Sequence, residues 1–422
     1  MGIIKFLLKL LGRELLWTIV LGIIAILVAL FAWVLPRRAR LRKEEKEQLK
    51  RLEEKTIETD RKVEIANKNI ENIERHFGIS IYTDGLPSAD PPVFDPFLEG
   101  TKLMAEYKWD EAISEFQKAM KEAKAKQLVA LYNLIAICYY TSGRFSLALE
   151  NYEESLDLAR QFKDKEGEAA ALGNIGVIHK DKGELDLALK YHQEALKIDK
   201  EIGFKEGEAN ALGNIGLVYQ AKGELDLALK CHQDALKIAK EIGFRQGEAQ
   251  QIIAIGLVYY SRGSLDEALA QYEEAVKIHR DIGFREGEAT ALGNIGLVYQ
   301  TKGELDQALK YLQDALKIQK ETGLRQYEAN QLGNIGNVYY LKGDLDKALK
   351  YHQDALKIHK VIGFRQGEAG GLNNIAIVYQ VKGDLDSALK YLNKALKIYE
   401  KIGMPEQIGI VKGNIERIKT KK

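Results

Sequence analysis

Cysteine is scarce. Two residues in 422, Cys138 and Cys231, lie far apart in sequence. That is neither a disulfide framework nor a metal-ligand spacing. Cys138 falls where related stretches carry Ile178 and Val218, so it reads as a small buried apolar residue. Net charge is also missing: 62 basic residues face 61 acidic ones. A nucleic-acid binder shows a basic surplus or stripe, so no nucleic-acid partner is expected. The chain has no G-x-x-x-x-G-K-[ST] phosphate loop, no H-E-x-x-H and no nucleophile elbow. Histidine totals seven. His192, His232 and His352 share a position where Leu312 and Leu392 also stand, which marks a packing site. His352 and His359 are about 10 Å apart along a helix, too far to share a metal. Asp344-x-Asp346 begins like a calcium loop, but its glycine precedes it and no bidentate Glu follows at the required offset. These absences predict no catalytic residue, no metal, no cofactor and no enzymatic activity.

The amino-terminal quarter is organised differently from the rest. Residues 1–14 form an amphipathic segment with Lys5, Lys9 and Arg13 near one helical face. Phe6 stands where a myristoylation signal needs Ser or Thr, so no acylation is expected. Leu15 to Leu35 contains no charge, and its 21 residues suffice to cross a hydrocarbon core of about 30 Å. Trp17 and Trp33 sit near its ends, where interfacial aromatics belong. The run is too long for a cleaved signal, and Trp-Val-Leu-Pro-Arg-Arg offers no small-x-small cleavage site. Residues 15–36 are therefore predicted to be a single transmembrane helix. Arg37, Arg38, Arg40, Arg42 and Lys43 follow it at once, which favours a cytoplasmic carboxyl side by a narrow margin. The rival is a signal-anchor with everything after it outside the cell.

Residues 37–78 are highly charged and free of Pro and Gly before Gly78. Leu49, Thr56, Val63, Ile70 and Phe77, with Leu52, Thr59, Ala66 and Ile73, give four heptads. A homo-oligomer through residues 49–77 and a single solvated helix both fit this pattern. Residues 79–96 hold four of the six prolines, with Asp84-Gly85, and read as a semi-rigid linker.

From there the chain repeats itself. Gly176, Gly216, Gly256, Gly296, Gly336 and Ala376 are each forty apart. The turn glycines Gly143, Gly183, Gly223, Gly263, Gly303, Gly343 and Gly383 keep the same step. A fixed period of this size is the mark of a solenoid. In the unit Ala209–Glu248, Leu212, Ile215, Gly216 and Tyr219 share one helical face. Lys222-Gly223-Glu224 breaks the pattern, and Gly223 suits a left-handed helix end. Leu225–Ile242 is predicted as a second helix, with Ala228, Leu229, Ala235, Leu236, Ile238 and Ile242 inward. Neither helix buries its stripe alone, so the hairpins must stack.

The pattern N-x-G-x-x-Tyr, then Gly, then D-x-x-A-L-x-x-x-x-x-A-L-x-I resembles the tetratricopeptide repeat. Eight copies are predicted over 97–404, starting from a divergent one with Trp109-Asp110-Glu111-Ala112. Residues 405–422 supply a capping helix and tail. The expected fold is an all-α superhelical solenoid of eight hairpins. The forty-residue form is similar to Leu-Gly-Asn-type polarity scaffolds and, more loosely, kinesin light chains. That resemblance implies a concave face of first helices that holds partner peptides or proteins.

It also implies the site. Asn174, Asn214, Asn294, Asn334 and Asn374 match the asparagine that bonds ligand backbone in the family, and an amide both donates and accepts. Gln220, Tyr260, Gln300, Tyr340 and Gln380 lie six residues on, and Asn210 and Asn330 four residues before. Ile253-Ala254-Ile255 interrupts the ladder. The scaffolds' Arg is replaced by Ala170, Asn210, Gln250, Thr290, Asn330 and Gly370, so the groove is expected to be more neutral and apolar. A junction column of Lys165, Lys205, Arg245, Arg285, Arg325 and Arg365, each three residues before a Glu, reads as local ion pairing. The expected function is a membrane-anchored interaction scaffold with its array on the cytoplasmic side. An extracytoplasmic assembly or chaperone-like factor remains the alternative, and a regulatory subunit of an enzyme complex a third reading.

Overall fold

The computed structural model describes residues 91–420, with Glu47, Lys50, Arg61 and Glu64 as isolated helical positions before them. The expected membrane span, the amphipathic segment and nearly all of the heptad stretch lie outside the described residues. Among those residues no helix is long and apolar enough to cross a membrane.

The array consists of helical hairpins. The first four pair α1 (Pro91–Ala105) with α2 (Trp109–Met120), α3 (Ala125–Thr141) with α4 (Phe145–Gln161), α5 (Lys165–Asp181) with α6 (Leu185–Ile202), and α7 (Lys205–Ala221) with α8 (Leu225–Glu241). The next four pair α9 (Arg245–Ser261) with α10 (Leu265–Asp281), α11 (Arg285–Thr301) with α12 (Leu305–Thr322), α13 (Arg325–Leu341) with α14 (Leu345–Val361), and α15 (Arg365–Val381) with α16 (Leu385–Ile402). α17 (Pro405–Lys419) covers the last apolar face with Val411, Ile415 and Ile418. α1 begins at Pro91, inside the stretch expected to be linker. Pro91 and Pro92 occupy its first turn, where the amide has no helical partner anyway.

Each hairpin closes on a small residue. At Gly216 an added Cβ would lie 2.7 Å from the ring of His232, and at Gly256 2.6 Å from Tyr272. The glycine of the first helix thus makes room for one large side chain of the second. Turns are set by left-handed glycines: Gly223 has φ +78° after the first helix, and Gly243 +71° after the second. Side chains other than glycine disfavour that region. Tyr299 on Tyr311, Tyr339 on Tyr351 and Tyr379 on Tyr391 stack at 5.4, 5.4 and 5.6 Å, tying first helix to second. Cys138 is fully buried, as its apolar position requires. Ile242, expected to face inward, is 42% exposed, because the chain leaves the helix there.

First helices of successive hairpins touch one another, as α5 does α7 and α9 does α11. Second helices make no comparable contact. The stack therefore bends with the first helices on its inner face.

After six hairpins the array meets itself. The indole N–H of Trp109 donates to the Ile362 carbonyl at 3.0 Å, across 253 residues of sequence. The Tyr107 hydroxyl accepts from the amides of Arg325 and Gln326, which open α13 and lack intrahelical acceptors. Burial pushes this phenol up to about 12 despite those bonds. A Cβ at Gly143 would sit 3.3 Å from Ile402. Hairpin 1 thus meets hairpin 7, and hairpin 2 meets hairpin 8. Exposure records the contact: Ile362 and Ile402 are 3% and 7% exposed, whereas the equivalent Ile202 is 41%. A cleft of about 610 Å³ follows the seam, lined by Trp109, Arg144, Leu147, Val361 and Lys401 among others.

Candidate functional site

The inner face is built from positions spaced three and four apart on each first helix, so that they line one stripe. On α7 these are Asn210, Asn214, Leu217 and Ala221. Helix capping does little to fix them, since most first helices lack a side-chain cap. Tertiary packing does so through buried neighbours such as Ala211, Ile215 and Val218.

The structure places the asparagine ladder unevenly. Asn214, Asn294, Asn334 and Asn374 are half-buried on this face. Their amides make no hydrogen bond among the described residues. Asn174 differs: it is 4% exposed and drawn into the stack. Asn210 and Asn330 are exposed at the start of the same stripe. Ala254 leaves the gap that Ile253-Ala254-Ile255 implied.

The second set, six residues on, turns out to be tied partly to the neighbouring hairpin. Gln220 Nε2 donates to Ser261 Oγ at 3.3 Å, and the Tyr260 and Thr301 hydroxyls lie 2.7 Å apart. Tyr140 donates to Asp181 in the same way. Leu341 and Val381 take the place of Ser261 and Thr301 in the last hairpins, and they offer Gln300 and Tyr340 no polar partner. Gln300 Oε1 is buried without one. Tyr340 and Gln380 are half-buried. Leu341 and Val381 are themselves 52% and 55% exposed, so this row grows aliphatic toward the carboxyl end.

Apart from the Lys180–Asp181 pair of hairpin 3, charge lies at the two edges. At one edge Lys205, Arg245, Arg285, Arg325 and Arg365 each pair with the Glu three residues on. Those glutamates are nearly buried, so the basic column is already committed. At the other edge Lys222 bonds Asp186 and Lys302 bonds Asp266, both at 2.8 Å, and Lys382 bonds Asp346 at 2.6 Å. Arg262–Asp226 and Lys342–Asp306 continue this column between hairpins. The reading of the repeat missed it. Its signal was present: a basic residue before each turn glycine, 36 residues after the Asp of the preceding second helix. The aspartates are at least 86% exposed, so solvent and salt screen each pair strongly.

The histidines pack, as their shared position implied. His192, His232 and His352 are 0%, 1% and 2% exposed, each against the glycine of its hairpin. Burial pulls His192, His279, His352 and His359 down to about 4. Among the described residues no group of three His, Cys, Asp or Glu side chains could hold a metal ion.

Helical hairpins of forty residues, closed by a small residue on a bulky one and stacked with first helices inside, define a class of helical-repeat solenoid. A tetratricopeptide repeat family model matches residues 127–201, 167–241, 207–281, 248–321 and 327–401, well over half the sequence. The chain belongs to the tetratricopeptide repeat family. No curated protein sequence matches it. Among solved structures it is similar to the apo form of RapI, with 16% identity and TM-score 0.51 over 64% of this chain and 98% of that one. It is also similar to BtubC from P. vanneervenii, with 20% identity and TM-score 0.42 over 53% and 91% of the two chains. A putative kinesin light chain of Podosopora anserina has 17% identity and TM-score 0.38 over 46% and 95%.

Proposed function

We propose that the protein is an interaction scaffold that holds a polypeptide segment of a partner in the groove of its first helices. The observation that carries this reading is the set of unpaired amides at Asn214, Asn294, Asn334 and Asn374, at one position of the inner face with a single gap at Ala254. An amide can bond both the N–H and the C=O of an extended backbone. Hydrogen bonds left unmade in the free protein are available to a ligand, each with a net value of about 1 kcal/mol. The likeness of the repeat to Leu-Gly-Asn-type scaffolds supports the same reading. The chain is taken to be non-catalytic.

The proposal includes tethering. The uncharged run Leu15–Leu35 supplies a single membrane span, and the five basic residues that follow favour an array on the cytoplasmic side. Protease treatment of intact and permeabilised cells tests the orientation, with digestion of the array expected only after permeabilisation. Affinity capture with the detergent-solubilised chain tests the groove. Replacing the four asparagines by Ala is expected to remove specific partners. Identical partner sets from both forms would overturn the groove assignment.

A further inference from the structure

Hairpin 3 carries Lys180 and Asp181 at the end of its first helix, but from hairpin 4 to hairpin 8 the inner face varies without taking a charge. Take the helix position of Asn210: its equivalents are Gln250, Thr290, Asn330 and Gly370. The position of Ala221 reads Ser, Thr, Leu and Val in the next four hairpins. The positions of Asn210, Gly213, Asn214, Leu217, Gln220 and Ala221 contain no Asp, Glu, Lys, Arg or His in α7, α9, α11, α13 or α15, in a chain that is 29% charged. Copying of one repeat does not account for this, because these are the positions at which the copies differ. Where the side chains diverge, they stay neutral.

The two edges show that charge is otherwise plentiful, and there it is paired within the array, as Lys222 is with Asp186 and Arg245 with Glu248. No unpaired countercharge lines the face between them. A ligand that brought a charge onto it would lose hydration without gaining a partner, and that penalty exceeds any gain from contact. Exclusion of charge is thus itself a specificity device.

The neutral face also has a direction. In hairpins 4 to 6 its helix-end row presents Ala221, Ser261 and Thr301, with Gln220 bonded to Ser261. Near hairpins 7 and 8 it presents Leu341 and Val381, both more than half exposed, beside Ile377. Apolar surface this exposed marks a contact site when it is contiguous and rimmed by polar groups.

We infer that the groove takes an uncharged segment of a partner protein, held along the amide ladder and aliphatic where it meets Leu341 and Val381 of hairpins 7 and 8. The inference rests on the groove reading above and specifies its ligand. Recognition is by backbone bonds to the amide ladder and by apolar side chains over Leu217, Leu257 and Leu341. Binding is consequently insensitive to salt, because no charge pair is there to be screened.

The test is selection of displayed peptides of random sequence on the full chain reconstituted in lipid nanodiscs. The Asn214→Ala, Asn294→Ala, Asn334→Ala, Asn374→Ala variant serves as the counter-selection. Enriched peptides are expected to lack acidic and basic residues and to be aliphatic toward one end. Their Kd should change less than about twofold between about 50 and about 500 mM salt. Leu217→Lys, at a position 36% exposed, should weaken neutral peptides more than about tenfold and admit acidic ones. Enrichment of charged peptides, or a Kd that rises about tenfold with salt, would overturn the ligand class and leave the groove standing. Failure to enrich any peptide would overturn the groove reading itself. Enrichment only after deletion of residues 15–36 would assign the groove to the chain's own uncharged segment and overturn the partner source.

Discussion

Replacing His192 and His352 by Leu together should remove most of the acid sensitivity of the array. Four histidines are held near pH 4 by burial, each at most 5% exposed, and His279 sits against Phe284 and Gly287. Their folded-state values lie below the unfolded value, so the unfolded chain binds more protons between about pH 6.5 and 4. Stability from these rings is complete above pH 6.5 and falls as pH falls through that window. From pH 7.5 to 5.5 each ring costs somewhat more than about 1 kcal/mol, and the four together roughly 5 kcal/mol. Asp199 opposes them. Burial, then the charges of Glu208 and Glu166, raise it to about 7, so the folded state holds its proton as pH falls below that value. It returns about 2 kcal/mol over the same interval, leaving a net loss of roughly 3 kcal/mol. His192→Leu with His352→Leu removes about half of the histidine contribution, and the profile should become nearly flat. Leucine fits, because Leu312 fills the equivalent space against Gly296 at 0% exposure. Two rings with orphaned nitrogens are also deleted, so the variant should be at least as stable as the parent at pH 7.5. Urea midpoints followed by far-UV circular dichroism at pH 7.5, 6.5 and 5.5 provide the assay. A variant that retains the parent's pH dependence would refute the claim that these rings are buried neutral.

Three further outcomes follow from packing and from the seam. Gly216→Val places its Cβ 2.7 Å from the His232 ring and should cost about 1–3 kcal/mol, read as a lower melting midpoint; an unchanged midpoint would mean that the hairpin is looser than its geometry. Cys231 is half-buried where Tyr191, Tyr311, Tyr351 and Tyr391 stand in other hairpins, so Cys231→Tyr should add a stack on Tyr219 and stabilise by about 0.5–1.5 kcal/mol, measured by the same denaturation. Trp109→Ala should release hairpin 1 from hairpin 7, at a cost of about 3–5 kcal/mol; amide exchange of α1, α2 and the start of α13 should accelerate while α9 is unaffected, and acceleration confined to α2 would refute a closed seam.

Most of the hairpin architecture was legible because it is enforced locally and repeated. The step from Gly216 to His232 is fixed by the only space available to an imidazole. Gly223 and Gly243 are required by left-handed φ values that other residues disfavour. The asparagine ladder was legible as a row but not as a set of environments. Asn174 and Asn214 occupy the same helix position, yet one is buried and the other is open to the groove. Likewise Gln220 and Tyr260 were visible, but their bonding to Ser261 and Thr301 depends on how far one first helix is offset from the next.

The seam was not legible, and the reason bears on how divergence in a repeat protein should be interpreted. Superhelical pitch accumulates from small rotations at every hairpin, so no local pattern states which hairpin meets which. What the sequence did display was a first copy that departs from the rest, with Tyr107-Lys108-Trp109 where hairpins 3 to 8 have glycine, an acidic or small polar residue and leucine. Taken alone, that departure looks like decay at an array end. In the structure those residues are the ones that reach Arg325, Gln326 and Ile362. Their backbone is specialised too, with φ +61° at Tyr107, where the matching turns use glycine. A tyrosine in that conformation is retained only where its surroundings over-determine it. Here they do, since its hydroxyl satisfies the open end of a helix six hairpins away. The divergence of the first copy is therefore better explained by closure of the turn than by loss of selection, and closure in turn fixes the spacing of the first helices that carry the neutral groove.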